Sequence, residues 1–162
     1  MAPRGRTDTP VTQSLLDRLD TGFEAPTSRA ASIAVFKAGI RRDIEWLLNT
    51  RRTGEDSLER CPQALNSVAT YGLPDIAELG AGVVGPTQVL ESIRSTLKVH
   101  EPRIRDPRIT LIREDKLRRS FRFHVEGTVM IENSEEDISF DTLLDTVNGE
   151  FTDPTRGDIR RG

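Results

Sequence analysis

The sequence contains one cysteine, Cys61, and two histidines in 162 residues. A single cysteine excludes an intrachain disulfide, and no group of Cys and His has the spacing of zinc ligands. Aromatic residues make up only 5% of the chain, so no platform for stacking nucleic-acid bases is evident. We therefore expect a cytoplasmic protein of a reducing compartment, with neither a metal nor a cofactor.

Neither sign of charge dominates the chain, because 23 Lys and Arg face 26 Asp and Glu, for a formal net charge of -3. This balance provides no basic field for nucleic acid or for an anionic membrane. There is no run of about 18 apolar residues, and the amino terminus lacks the apolar stretch of a signal peptide. We expect no nucleic-acid partner and no membrane insertion. Partners must then be recognised locally.

The chain divides by composition into a flexible leader over residues 1–10, a single domain over 11–151 and a solvated tail over 152–162. The leader and the tail are rich in charge, Pro and Gly and lack hydrophobic periodicity. Between them, 35% hydrophobic residues in the whole chain suffice for one globular core with a richly charged surface.

Helical periodicity covers the first part of this domain. The main predicted helix spans 29–49, where an apolar stripe runs from Ile33 to Leu48. Leucines at helical spacing predict a short helix over about 12–20, which is brief enough to need a docking surface. Two further helices are expected, over 62–71 and from Pro86 to about Val99.

From Pro107 onward the period changes to two, which predicts consecutive strands and an antiparallel meander. The third strand, over 138–147, shifts its apolar phase between Phe140 and Leu143, as a β-bulge would require. Because helices come first and strands last, the predicted class is α+β, with N-terminal helices packed on one face of a small C-terminal antiparallel sheet.

Residues able to support catalysis are present but form no motif. The acidic candidates for a glycosidase pair are scattered and are expected to be surface charge. Neither histidine has a nucleophile as a partner. The glycines lack the pattern of a Walker loop or of a dinucleotide-binding loop. Acidic residues interrupt the basic stretch, as in a charged hairpin turn. These candidates are Asp75, Glu101, Asp106 and Asp141; Cys61, His100 and His124; Gly80, Gly82 and Gly85; and Arg113, Lys116, Arg118, Arg119 and Arg122.

The turn Glu101-Pro102-Arg103, called the corner below, lies between the last predicted helix and the sheet. Pro102 restricts the backbone, so the two charged side chains lose less conformational freedom on meeting a partner. Two interpretations remain open from physics alone. The corner either closes a local salt bridge, worth roughly 0–1 kcal/mol if exposed, or docks a partner. If the pair is exposed, its removal should leave the fold nearly intact.

Several segments together resemble the TssE family of type VI secretion baseplate subunits, which is related to a wedge protein of contractile phage tails. The resemblance covers about residues 11–150, and His100 departs from the aromatic residue that this family often has there. The segments are Leu15-Leu16-Asp17-Arg18-Leu19; Asp43 to Arg51, which contains Trp46-Leu47-Leu48-Asn49-Thr50-Arg51; Ser67-Val68; Tyr71-Gly72-Leu73-Pro74-Asp75; and the corner itself.

The resemblance implies a structural role. It places Glu101, Pro102, Arg103 and the neighbouring Arg105 at the contact with the wedge proteins TssF and TssG, and it gives the other matched segments a role in the fold. It also implies that the sheet receives a strand from the sheath proteins TssB and TssC by β-augmentation, at an edge that the sequence leaves open. TssK and the VgrG spike are further candidate partners.

The same family carries a lysozyme-like label. An alternative is therefore a peptidoglycan hydrolase with Glu101 as general acid, although no second carboxylate stands out as its partner. We expect no enzymatic activity.

Overall fold

The structure, a computed structural model, describes residues 9–20, 22–52, 58, 61, 63–74, 85–115, 117, 119–132 and 134–154. N-terminal helices pack on a C-terminal antiparallel sheet, so the predicted α+β class is confirmed. The elements are α1 (Leu15–Leu19), α2 (Arg29–Asn49), β1 (Arg51–Arg52), β2 (Leu73–Pro74), α3 (Pro86–His100), β3 (Ile104–Asp115), β4 (Ser120–Ile131), β5 (Ser134–Asp145) and β6 (Glu150–Thr152).

Helix α2 has the bounds that its apolar stripe predicts. The Ser28 hydroxyl accepts a hydrogen bond from the Ala31 amide and begins the helix. Its buried face consists of Ser32, Ile40, Ile44, Leu47 and Leu48. Charged residues outside this face form ion pairs: Lys37 pairs with Glu136 at 3.2 Å and Arg41 with Asp153 at 3.5 Å. These charged residues therefore lie alongside the sheet's last two strands.

Helix α3 begins at Pro86, whose fixed φ suits the first helical turn, and buries Val89, Ile93 and Leu97. It ends at His100, one residue beyond the predicted limit, because Pro102 disfavours helical dihedrals at Glu101. The Glu101 amide still donates to the Leu97 carbonyl at 2.9 Å. The chain thus leaves the helix directly into the corner.

The sheet has the order β3-β4-β5-β6, with every neighbouring pair antiparallel. Its buried face supplies alternate residues to the core shared with α2 and α3. Strand β6 has only three residues, which pair with the end of β5. The fully or largely buried sheet residues are Ile104, Ile109, Phe121, Phe123, Val125, Val129, Ile131, Ile138, Phe140, Leu144 and Phe151.

The β-bulge predicted in β5 is wrong. Strands β4 and β5 stay in continuous register from the Ile131–Ser134 pair to the Ser120–Asp145 pair. Thr142 occupies the buried position between Phe140 and Leu144, so a polar side chain, not a backbone irregularity, causes the apparent phase shift. The register shifts lie instead in β3, at residues 105–108 and 111–113.

The single helix predicted over 62–71 is also wrong. The chain forms two short 3-10 helices, Ala64–Asn66 and Val68–Thr70, separated by an extended Ser67. The Ser67 hydroxyl donates to the Ala64 carbonyl and accepts from the Ala69 amide, so the side chain supplies local hydrogen bonds that compete with a continuous helix.

The leucines of helix α1 suggest that its apolar side packs on the protein, but they are exposed. Leu15, Leu16 and Leu19 are 69%, 56% and 71% exposed. The preceding chain is held by hydrogen bonds to α2, including one of 2.8 Å from the Val11 amide to the Ser32 hydroxyl. The polar side of α1, not its apolar side, therefore faces the protein.

Candidate functional site

Two of the segments that resemble the TssE family meet in a short parallel ladder below the corner. Arg51 pairs with Leu73, and the Leu73 amide donates to the Thr50 carbonyl at 2.8 Å. Gly72 has φ of 109°, and a Cβ built on it would lie 2.3 Å from the Thr50 carbonyl oxygen. Only glycine fits this crossing without displacing backbone.

The remaining residues of the first segment tie α2 to the sheet. Leu47 and Leu48 are core residues. The Asn49 side chain donates to the Phe151 carbonyl and accepts from the Phe151 amide, both at 2.8 Å, so it pairs with β6 as a neighbouring strand would. Arg51 donates to the Asn148 carbonyl at 3.3 Å. Pro74 is half-buried at the end of β2, and Asp75 lies outside the described residues.

At the corner, Arg103 forms a bidentate ion pair with Glu101. Its Nε donates to Oε1 and its Nη2 to Oε2, both at 2.6 Å, and Nη2 also donates to Asp43 Oδ2 on α2 at 2.7 Å. The hydrogen bond from Glu101, followed by that from Asp43, raises the pKa of Arg103 above its ordinary value despite partial burial. Glu101 and Arg103 therefore form the local salt bridge that is one of the two interpretations of the sequence.

The two side chains of this ion pair differ in their burial. Glu101 is only 4% exposed, so the premise of an exposed pair is wrong for its carboxylate. The Arg103 side chain is 36% exposed, and its Nη1 donates to no acceptor among the described residues. The buried carboxylate orients the guanidinium by one edge, and the other edge faces outward.

The ion pair continues into a chain of charges, called the corner network: Glu101, Arg103, Asp43, Arg42 and Asp17. Arg42 donates to Asp43 at 3.0 Å and to Asp17 on α1. The Ser14 hydroxyl and Arg42 lower the pKa of Asp17, and Asp17 raises the pKa of Arg42. The network thus connects α1, α2 and the corner.

Aromatic and exposed side chains border the corner network. The Arg42 guanidinium carbon lies 4.9 Å from the ring centroid of Trp46, which is 51% exposed. Tyr71 meets His100 edge-on at 5.6 Å, so His100 supplies a ring contact at the position where it departs from the family. Pro102 and Arg105 are exposed. Burial, then the charges of Asp43 and Glu101, raises the pKa of Tyr71.

Sequence reasoning found the corner but missed its partners on α2 and α1. Asp43 lies 60 residues before Arg103, and Arg42 and Asp17 are 25 residues apart. No local pattern connects such positions. The helical spacing alone indicates that Asp43 and Trp46 lie on the same side of α2, because they are three residues apart.

The other candidates do not assemble into a catalytic site within the described residues. Both carboxylate oxygens of Glu101 accept from Arg103, so neither is free to donate a proton as a general acid. On the outer sheet face, Asp141 bridges His124 at 2.7 Å and Arg122 at 3.0 Å. Asp106, Cys61, Arg113 and Arg119 are exposed. Gly80, Gly82, Lys116 and Arg118 lie outside the described residues.

Metal and membrane sites give no further candidate. Among the residues that the structure describes, no group of three or more His, Cys, Asp or Glu side chains is placed to hold a metal ion. None of the described helices combines the length and the apolar character needed to cross a membrane.

Comparison with known families gives one match. A family model described as baseplate wedge protein gp25 matches residues 34–134, which is more than half of the chain. The matched span runs from within α2 to the first residue of β5 and includes the parallel ladder and the corner. Searches of curated proteins and of solved structures gave no match.

Proposed function

Because this chain belongs to the baseplate wedge protein gp25 family, and is thereby a structural baseplate component of a contractile machine, we propose that its corner docks to wedge subunits. The family match confirms the resemblance to TssE-like baseplate proteins. We further propose that the machine is a type VI secretion system and that the sheet starts sheath polymerisation by accepting a strand.

The observation that carries the docking proposal is the half-used guanidinium of Arg103. Glu101 and Asp43 hold it through Nε and Nη2, and Nη1 is left for an acceptor from another molecule. An arginine fixed in this way loses little conformational freedom on binding, so more of the contact energy appears as affinity. The local salt bridge then orients the Arg103 guanidinium for the docking contact.

The surroundings of the corner network support a protein partner. Trp46 is half exposed beside Arg42, and the exposed leucines of α1 are attached to the same network through Asp17. Trp and Arg are the side chains that contribute most often to the energy of protein interfaces. Carbonyls at helix ends or carboxylates on TssF and TssG would suit Arg103.

The other partners belong to the same proposal. TssB and TssC would supply the sheath strand, and TssK and the VgrG spike would lie in the surrounding baseplate. Wedge binding and sheath binding can be tested independently, because each is measured with its own co-expressed partners.

The test is co-purification with co-expressed TssF and TssG. Arg103→Ala should weaken capture at least about tenfold, since it removes a central charged anchor. Arg105→Ala should also reduce capture, and its exposed side chain makes this change without disturbing the fold. The matched control is Arg94→Ala, which removes an exposed arginine that pairs with Glu91 on α3 at 3.0 Å.

Circular dichroism must show that each variant is folded at the assay temperature. Folded Arg103→Ala and Arg105→Ala chains that co-purify with TssF and TssG as well as Arg94→Ala does would overturn the proposal.

A further inference from the structure

Helix α1 displays its apolar side chains to solvent beside the one tryptophan of the chain. Each of these side chains is more than half exposed, and together they are called the leucine patch: Leu15, Leu16, Leu19 and Trp46. We propose that the leucine patch is a second, apolar contact for a wedge subunit, and that Asp17 is the positioning residue that turns the leucines outward. The inference rests on the proposed docking of the corner and adds a contact to it.

Asp17 holds α1 by its polar side. Its carboxylate accepts from the Ser14 hydroxyl at 2.6 Å and from Arg42 on α2. Two positions along an α-helix correspond to a rotation of about 200°. Attachment of Asp17 to α2 therefore directs Leu15 and Leu19 away from α2, toward solvent.

The backbone around α1 allows this close attachment. A Cβ at Gly39 would lie 3.2 Å from Asp17 Oδ2, so the glycine lets the carboxylate lie against α2. The chain before α1 is fixed as well, because the Gln13 side chain donates to the Ser32 carbonyl at 3.0 Å and Val11 is buried. A surface that is fixed before binding loses little conformational freedom when a partner covers it.

Arg42 connects the leucines of α1 to Trp46 and to the corner. Its guanidinium donates to Asp17 and to Asp43, and its guanidinium carbon lies 4.9 Å from the Trp46 ring centroid. Asp43 in turn accepts from Arg103. The leucine patch is therefore continuous with the corner network, and one partner can contact both.

The charges beside the leucine patch specify the partner further. Arg18 on α1 is exposed, and neither its side chain nor Nη1 of Arg103 has an acceptor among the described residues. The nearby Asp20 accepts from the Gly22 amide. A second copy presents the same two arginines, so self-association brings them no opposite charge. A wedge segment whose apolar side chains are flanked by carboxylates suits both the leucines and the arginines.

The test measures capture of the full chain by co-expressed TssF and TssG. Leu15→Ala combined with Leu19→Ala, called the leucine variant below, should lower capture about tenfold or more. Its midpoint of urea denaturation should stay near wild type, because both side chains are exposed. Leu117→Ala is the matched control and should leave capture unchanged. Leu117 is 98% exposed and follows the end of β3 that lies opposite the corner.

The outcomes separate this inference from the proposed function. If Arg103→Ala lowers capture and the leucine variant behaves as Leu117→Ala does, the leucine patch is refuted and docking of the corner stands. If neither variant lowers capture, both proposals fail. Sedimentation of the wild-type chain alone should show a monomer. A dimer that the leucine variant dissociates, with unchanged capture, would identify a second copy as the occupant and refute the proposal.

The positioning role of Asp17 needs a double-mutant cycle. Asp17→Ala keeps a helix-forming residue but removes the attachment to Arg42, so it should lower capture of the otherwise wild-type chain. The same change in the leucine variant should cause little further loss. Equal losses in both backgrounds would show that Asp17 acts by another route and would overturn its positioning role.

Hydrogen exchange of the wild-type chain provides a measurement that needs no variant. Addition of TssF and TssG should slow exchange of the backbone amides of residues 15–19. Capture without protection of these amides overturns the proposal, whatever the variants show.

Discussion

Arg103 donates to both carboxylate oxygens of Glu101, at 2.6 Å each, across the single residue Pro102. The carboxylate is buried and the guanidinium is partly exposed. The Glu101 carboxylate therefore belongs to the folded interior, whereas the Arg103 guanidinium presents a hydrogen-bond donor at the surface. A variant at this position changes stability and binding together, so experiments at the corner must measure both.

The first prediction concerns this coupling. Arg103→Ala leaves the Glu101 carboxylate buried without its main donor, and we expect it to lower the free energy of unfolding by about 1–3 kcal/mol. Glu101→Gln added to Arg103→Ala should recover part of this loss, because it removes the stranded charge. Urea denaturation of the two single variants and the double variant measures the coupling. Strictly additive losses would contradict a direct interaction.

Gly72 gives the second prediction. Gly72→Ala places a Cβ 2.3 Å from the Thr50 carbonyl oxygen at a φ of 109°, so we expect a destabilisation on the order of 3 kcal/mol. Gly85→Ala is the control, because a Cβ there meets no atom within 4 Å. Thermal denaturation of both variants checks the difference. Equal melting temperatures would show that the β1–β2 crossing relaxes easily.

The third prediction concerns acid. The Ser14 hydroxyl and Arg42 lower the pKa of Asp17 from its ordinary 3.8, so the folded state favours the charged carboxylate. The stability that this carboxylate contributes is present above about pH 4 and is lost as the pH falls through the lowered value. We expect α1 to detach in acid and Arg42 to shift over Trp46.

Fluorescence of Trp46, the one tryptophan of the chain, reports this transition. Asp17→Asn should abolish the acid-dependent step and leave any transition from other carboxyl groups in place. An unchanged fluorescence profile in Asp17→Asn would contradict the role of Asp17.

The fourth prediction uses Tyr71, the one tyrosine of the chain. Burial and the charges of Asp43 and Glu101 raise its pKa above 10.0 in the folded state, which favours the neutral phenol. Its contribution to stability is complete below pH 10 and declines as the pH rises through the folded pKa. Ultraviolet absorbance of tyrosinate measures the titration directly.

Asp43→Asn should bring this titration closer to the ordinary tyrosine value, and chain unfolded in urea gives the reference. A folded-state midpoint equal to that of the unfolded chain would show that Tyr71 does not sense the corner carboxylates.

Periodicity predicted the elements whose burial is regular. Helix α2 presents apolar residues every three to four positions, and β4 alternates buried Phe121, Phe123 and Val125 with less buried neighbours. Tertiary packing did not override these patterns, so α2, α3, the three long strands and their order follow from the sequence. The corner also stands out in the sequence, because two charges flank a proline that ends a helix.

The failures have local and long-range causes. At Ser67 a side-chain hydrogen bond replaces helical continuity, and at Thr142 a polar residue occupies a buried strand position, so hydrophobicity alone misleads. Strand β6 is too short to show a period. Its anchor is Asn49, which is far away in the chain, as Asp43 is from Arg103. Contacts of this separation leave no signature in a single sequence.

The contact between Asn49 and Phe151 joins positions 102 residues apart, and it carries a consequence for synthesis. Helix α2 emerges from the ribosome early, yet Asn49 lacks its hydrogen-bond partner until residue 151 is available. Closure of this long loop must come late, since non-local contacts form only after the intervening chain is free. For most of its translation a growing chain therefore leaves the Asn49 side chain without Phe151, and the C-terminal end of α2 is tied to the sheet only after β6 has been made.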